Sequence, residues 1–132
     1  MSPRLTYPKF AFKEQAMELQ QFTSVDQIND TTAENENVLL IISRANCPGC
    51  DNLARALATN AELQTALAGV TVGVVKLETV PTIAATFGVR MAPSMILFRG
   101  DDEVKRIMGF NSPAELLNAA RAAFGAPVAE AA

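Results

Sequence analysis

"VLLIISRANCPGCDNLARALA", residues 38–58, carries a strand signal, a turn and a helix signal in one run, with the chain's two cysteines at the junction. Residues 38–43 are almost continuously apolar and rich in branched side chains, which predicts a strand covered on both faces. Residues 51–58 place Leu53, Ala56 and Leu57 at helical spacing. Between the two, Cys47 closes the connection and Pro48 takes the first helical position, where an N–H would have no partner. Cys50 then lies about one turn inside the helix. A strand running into a helix in this way predicts the first half of a βαβ unit.

Working outward, residues 70–77 (VTVGVVKL) read as a second strand and 80–88 (VPTIAATFG) as a short helix, with Pro81 near its start and Gly88 past its end. Residues 94–98 (SMILF) and 103–109 (EVKRIMG) are two more strands, joined so closely through "RGDD" that they must form an antiparallel hairpin. Ser112, Pro113 and Glu115 predict a helix start, with Glu115 reaching back to its cap, and that helix extends to about Phe124. Thr59 with Glu62 predicts a restart of the helix after the cysteines, and Gly69 its stop. Thr23 and Ser24 open a surface helix, while residues 16–22 fit a helix or a short strand equally. The order βαβαββα predicts an α/β chain with a central mixed sheet of four to five strands and helices on both faces, its first half parallel through right-handed crossovers. Residues 1–15 read as an N-terminal extension, 16–125 as the domain and 126–132 as a flexible tail.

The chain has 132 residues, enough for one domain with a core that needs no staples. Its 49% hydrophobic and 19% charged content is ordinary for a globular protein. A net charge of −3 and a pI near 4.9 argue against a nucleic-acid partner, because phosphate binding needs a basic surface. The longest aliphatic run, residues 38–42, is far too short to span a bilayer. The opening "MSPRLTYPKFAFKEQAM" has no continuous apolar core of a secretory signal, so a cytoplasmic location is expected, and there a C-x-x-C pair is not by default a permanent disulfide.

Four readings of Cys47 and Cys50 compete. A zinc site wants four Cys or His ligands, and a chain with two cysteines and no histidine offers one only by dimerising. A structural disulfide over so short a loop removes little entropy from the unfolded chain. Two unrelated core cysteines would behave as small hydrophobes. A redox dithiol uses the position best: unpaired N–H groups and the helix dipole favour a thiolate at Cys47, below the free value of about 8.5, while Cys50, one turn deeper, is expected to be more buried and less acidic. The first sulfur attacks a disulfide and the second resolves the mixed disulfide.

At this point the sequence resembles the thioredoxin family, over residues 17 to 124. The likeness rests on "VLLIISRANCPGC", on "VTVGVVKLETVPTIAATFGVRMAPSMILFRGDDEVKRIMGF" and on the last amphipathic helix. It implies the thioredoxin fold, and it implies that Pro93 follows a cis peptide bond and packs on the cysteines. The backbone of Met91 and Ala92 would then pair with an extended substrate segment. The plainer reading of Pro93 is a loop proline at a strand start. "TVP" at 79–81 and the C-P-x-C form resemble glutaredoxins, yet Pro81 precedes a helical stretch and Pro93 a strand, so Pro93 is the better match. Gly109 matches a glycine that lets a partner chain approach closely, or is simply a strand-end glycine.

The departures from the family pattern bear on chemistry. Asn46 replaces the tryptophan before the first cysteine, and Pro48–Gly49 replaces the usual Gly–Pro. The family's buried carboxylate, six residues before the first cysteine, falls on Ile41, which implies slow or solvent-assisted resolution by Cys50. Asp51 stands where a basic residue is usual and opposes a thiolate. Lys76 matches a family lysine near the site and would offset this, unless it is only a surface lysine at a strand end. The resemblance implies a monomeric thiol–disulfide oxidoreductase acting on protein disulfides, with no cofactor or metal in this chain, recycled by a separate thioredoxin reductase or glutathione system and bound to no membrane or nucleic acid. Two alternatives stay open: a binding or adaptor module with little turnover, and a glutathione-dependent glutaredoxin-like enzyme.

Overall fold

The apolar run that begins at Val38 is the middle of the sheet. In the computed structural model, which describes residues 18–125, five strands form: β1 (Leu19–Phe22), β2 (Asn37–Ser43), β3 (Thr71–Lys76), β4 (Ser94–Arg99) and β5 (Asp102–Met108). Their spatial order is β1-β3-β2-β4-β5. β3 is parallel to both β1 and β2, while β4 runs antiparallel to β2 and to β5. The helices are α1 (Val25–Glu34), α2 (Pro48–Thr59), α3 (Ala61–Ala66), α4 (Ile83–Phe87) and α5 (Pro113–Phe124). This is the mixed sheet with helices on both faces that the sequence predicts. The expected arm at 1–15 and tail at 126–132 lie outside the described residues.

Alternation along β2 builds two cores. Leu39 and Ile41 point to one side, with Leu53 and Leu57 of α2, Leu63 of α3 and Leu116 of α5. Val38, Leu40 and Ile42 point to the other, with Ile28 of α1 and Ile83 of α4. Every residue from 38 to 42 is buried, which is why the run is apolar on successive positions rather than alternate ones.

Residues 19–22 are a strand. β1 pairs in parallel with β3, Leu19 opposite Val72 and Phe22 opposite Val75. The Phe22 ring occupies the space that a Cβ on Gly73 would need, so a glycine in the middle of β3 is required by this packing.

Two caps differ from expectation. The restart after α2 is made by Asn60, whose side chain accepts the Leu63 N–H at 3.0 Å. Thr59 remains the last helical residue of α2, and its hydroxyl donates back to the Arg55 carbonyl. Asn competes well for a cap because its short amide reaches the N–H three residues on. At α5, Ser112 accepts the Glu115 N–H at 3.3 Å, but the Glu115 carboxylate accepts from the Asn111 amide instead of turning back to the cap backbone. Ser112→Ala is therefore expected to remove one cap bond and cost about 1 kcal/mol in urea unfolding, with the slope of the transition unchanged.

Candidate functional site

The connection from β2 to α2 is held from below by the turn after β3. The Leu77 N–H donates to the Ser43 carbonyl at 2.9 Å, and the Ala45 N–H donates to the Glu78 carboxylate at 2.9 Å. Asn46 then takes a left-handed backbone (φ 54), a conformation Asn tolerates better than most residues. Glu78 was not a sequence candidate, because nothing in a turn glutamate tells which loop it will meet.

Cys47 is the N-cap of α2. Its backbone is extended, its carbonyl accepts the Asp51 N–H, and its Sγ accepts the Cys50 N–H at 3.1 Å. Pro48 opens the helix. Cys47 and Cys50 are joined as a disulfide, with their Cα atoms 5.2 Å apart. The sulfur at the cap therefore sits where a helix N-terminus stabilises negative charge.

Burial of the two cysteines is the reverse of expectation. Cys47 is only 4% exposed, whereas Cys50 is half-buried. The reason lies in the helix face: Cys50 shares it with Leu53 and Leu57, and that face borders a small pocket of about 70 Å³ between α2 and the sheet. Ile41 and Val74 form its floor, and Ser43 supplies a polar atom. Ile41 is 4% exposed. The pocket beside the inner sulfur is thus almost wholly hydrocarbon, where the family pattern would place a carboxylate.

Pro93 is buried, and the Ala92–Pro93 peptide bond is cis. It packs on the first turn of α2, since a Cβ added at Gly49 would come 3.0 Å from the Pro93 Cδ. Gly49, Pro93 and the disulfide are therefore brought together. Met91 is 47% exposed beside them, and its carbonyl accepts the Ser94 hydroxyl at 2.6 Å. Ala92 is half-buried. The Gly109 N–H donates to the Pro93 carbonyl at 2.7 Å. A Cβ on Gly109 would meet Met91 only at ordinary contact distance, so its left-handed φ of 89 is what favours glycine there, rather than lack of space. Lys76 sits exposed at the end of β3 opposite Ser43, and it does not line the pocket at Cys50. Asp51 is exposed in the first turn of α2.

Among the described residues, no three His, Cys, Asp or Glu side chains come together as metal ligands would, and no helix is long and apolar enough to cross a membrane.

Residues 25–124 match the thioredoxin-like domain family. A comparison with curated proteins finds no match. Among solved structures, the chain is similar to Trxlp from Edwardsiella tarda, at 27% identity and a TM-score of 0.66, with 76% of this chain and 96% of that one covered. It is similar to mitochondrial thioredoxin 3 from Saccharomyces cerevisiae in its oxidised form, at 18% identity and a TM-score of 0.71, covering 81% and 97%. The thioredoxin of Trypanosoma brucei brucei is alike at 18% identity and a TM-score of 0.71, covering 81% and 91%.

Proposed function

The chain belongs to the thioredoxin-like family, and on that premise we propose that it is a thiol–disulfide oxidoreductase that reduces protein disulfides through Cys47 and Cys50. The observation that carries the reading is the Cys50 N–H donated to the Cys47 sulfur at the N-cap of α2. In the reduced protein the same N–H and the helix dipole stabilise a Cys47 thiolate. That thiolate attacks one sulfur of the substrate disulfide, and the other substrate sulfur leaves as a thiolate. Cys50 then attacks Cys47, frees the second substrate sulfur and closes the intramolecular disulfide, so two electrons pass from the dithiol to the substrate. Pro93 walls the site, the Met91 and Ala92 backbone lines up the substrate segment, and Gly109 stands on its far side. Pro48 and Gly49 shape the first turn, and Lys76 offsets the charge of Asp51. The oxidised pair is reduced by a separate thioredoxin reductase or by glutathione. The working unit is the monomeric domain at 16–125, in the cytoplasm, where thiols are kept reduced.

A second reading, a thioredoxin-fold binding or adaptor module, is favoured by the burial of Cys47 and by Ile41 in place of a carboxylate. The pH dependence of alkylation in the Cys50→Ser protein separates the two, since Cys47 is then the sole thiol and keeps the residue-50 N–H. Half-reaction at least one unit below about 8.5 is expected of a poised nucleophile. A value at or above that of free cysteine overturns the enzymatic reading and leaves the binding module.

A further inference from the structure

We propose that the oxidised pair is opened at Cys50, by a small apolar thiol entering the pocket between α2 and the sheet, with Cys47 as the sulfur that leaves. The inference rests on the reading of the pair as a redox centre and adds a second route into it.

Access comes first. Cys47 is almost fully covered, while Cys50 is half-buried and lines the pocket. The pocket follows α2 from Cys50 through Leu53 and Ala54 to Leu57, away from Cys47, which is not part of its wall. A nucleophile lodged there is beside Cys50 and out of contact with Cys47, so Cys50 is the sulfur it can reach. The leaving group points the same way. Exchange is faster when the departing sulfur is the better-stabilised thiolate, and the cap position with its N–H at 3.1 Å belongs to Cys47. On departure Cys47 stays where the helix end holds its charge, whereas Cys50 would leave into hydrocarbon.

The walls select the thiol. Apart from Ser43, the walls, Ile41, Leu53, Leu57 and Val74 among them, are hydrocarbon and offer no partner to the charged ends and amides of a tripeptide thiol, so polarity selects against it. About 70 Å³ holds roughly five water-sized groups, the bulk of a short alkyl chain. The step balances with thiol alone. The thiol enters neutral; as its sulfur bonds to the Cys50 sulfur its proton passes to solvent, the Cys47–Cys50 bond breaks, and that bond's electron pair goes to Cys47 as thiolate. A second thiol then attacks the R-side sulfur and its proton passes to Cys50, releasing the neutral Cys50 thiol and the disulfide RSSR.

Butanethiol is the probe. The oxidised wild-type protein is exposed to it briefly, acid-quenched and blocked with a maleimide, and the modified peptide is sequenced by fragmentation. The butylthio group is expected on Cys50 and the maleimide on Cys47, in roughly tenfold excess over the reverse. Ala54→Leu, which narrows the pocket from an exposed helical position, is expected to slow opening by roughly tenfold. Adducts mainly on Cys47, or an even split, overturn the inference while leaving the oxidoreductase reading intact. An unopened disulfide, or an Ala54→Leu rate equal to wild type, overturns it as well.

Discussion

Cys47→Ser is expected to lower the rate at which the reduced protein cleaves a protein disulfide by roughly a thousandfold or more, to the uncatalysed level. A hydroxyl at this pH is not ionised and does not exchange with disulfides, so the first covalent step is lost outright. The substitution is clean because serine is itself a strong N-cap: its oxygen accepts the residue-50 N–H in place of the sulfur, and α2 keeps its start. Loss of rate therefore reports chemistry and not an unravelled helix. Cys50→Ser is expected to behave differently. The attacking sulfur remains, the resolving one is gone, and the reaction stops after one turn as a mixed disulfide visible on a non-reducing gel. Stopped-flow reduction of a model protein disulfide, with near-UV circular dichroism as the folding control, reads both variants. Full activity in Cys47→Ser would mean that the cap position does not activate the sulfur it holds.

The fold was legible wherever the pattern was local. The run at 38–43 could only be an interior strand, the short "RGDD" forced the β4–β5 hairpin, and Ser112 with Pro113 marked a helix start that the structure keeps. Residues 16–22 were undecidable because β1 is an edge strand of four residues, and its identity comes from its neighbour: Phe22 fills the gap over Gly73, some fifty positions away. Asn60 outcompeted Thr59 for the cap by one residue, a choice between two good capping types that sequence spacing does not resolve.

The site was legible in its members more than in their surroundings. Cys47, Cys50, Gly49 and Pro93 are assembled in one place, and the choice of Pro93 over Pro81 agrees with the cis bond before Pro93 and with Pro81 lying just ahead of α4. What did not follow was which sulfur is covered. Depth along a helix suggested that Cys50 would be inside, but exposure depends on whether the sheet closes against that helix face, and at Cys50 it leaves a gap. Glu78 is a similar case, since a carboxylate holding the Ala45 N–H is a product of tertiary reach alone. Lys76 stands exposed at the end of β3 opposite Ser43 and outside the pocket wall, so any part it takes at the site is through its charge.

Ile41→Asp is expected to cost about 4 kcal/mol or more at pH 7, a large part of the 5–15 kcal/mol that a domain of this kind possesses. Ile41 lies in the middle of β2, opposite Val74 and Met95, and its side chain forms the floor of the pocket at Cys50. The variant loses buried hydrocarbon and gains a carboxylate among Leu53, Leu57 and Val74, with no cation lining the space. Desolvation raises the carboxyl above its unfolded value of about 3.9. The folded state then holds its proton at pH values where the unfolded chain has released it. The penalty is consequently smallest below pH 4, grows as pH rises toward the folded-state value, and levels off above it. Urea unfolding between pH 4 and 8, with Ile41→Asn as a polar variant that does not titrate, separates this from simple loss of packing: the Asn protein should lose stability by a similar amount at every pH. A flat profile for the Asp protein would mean that its carboxylate is solvated through the pocket mouth. The pocket would then be wet, and the apolar selectivity inferred for thiols reaching Cys50 would fail with it.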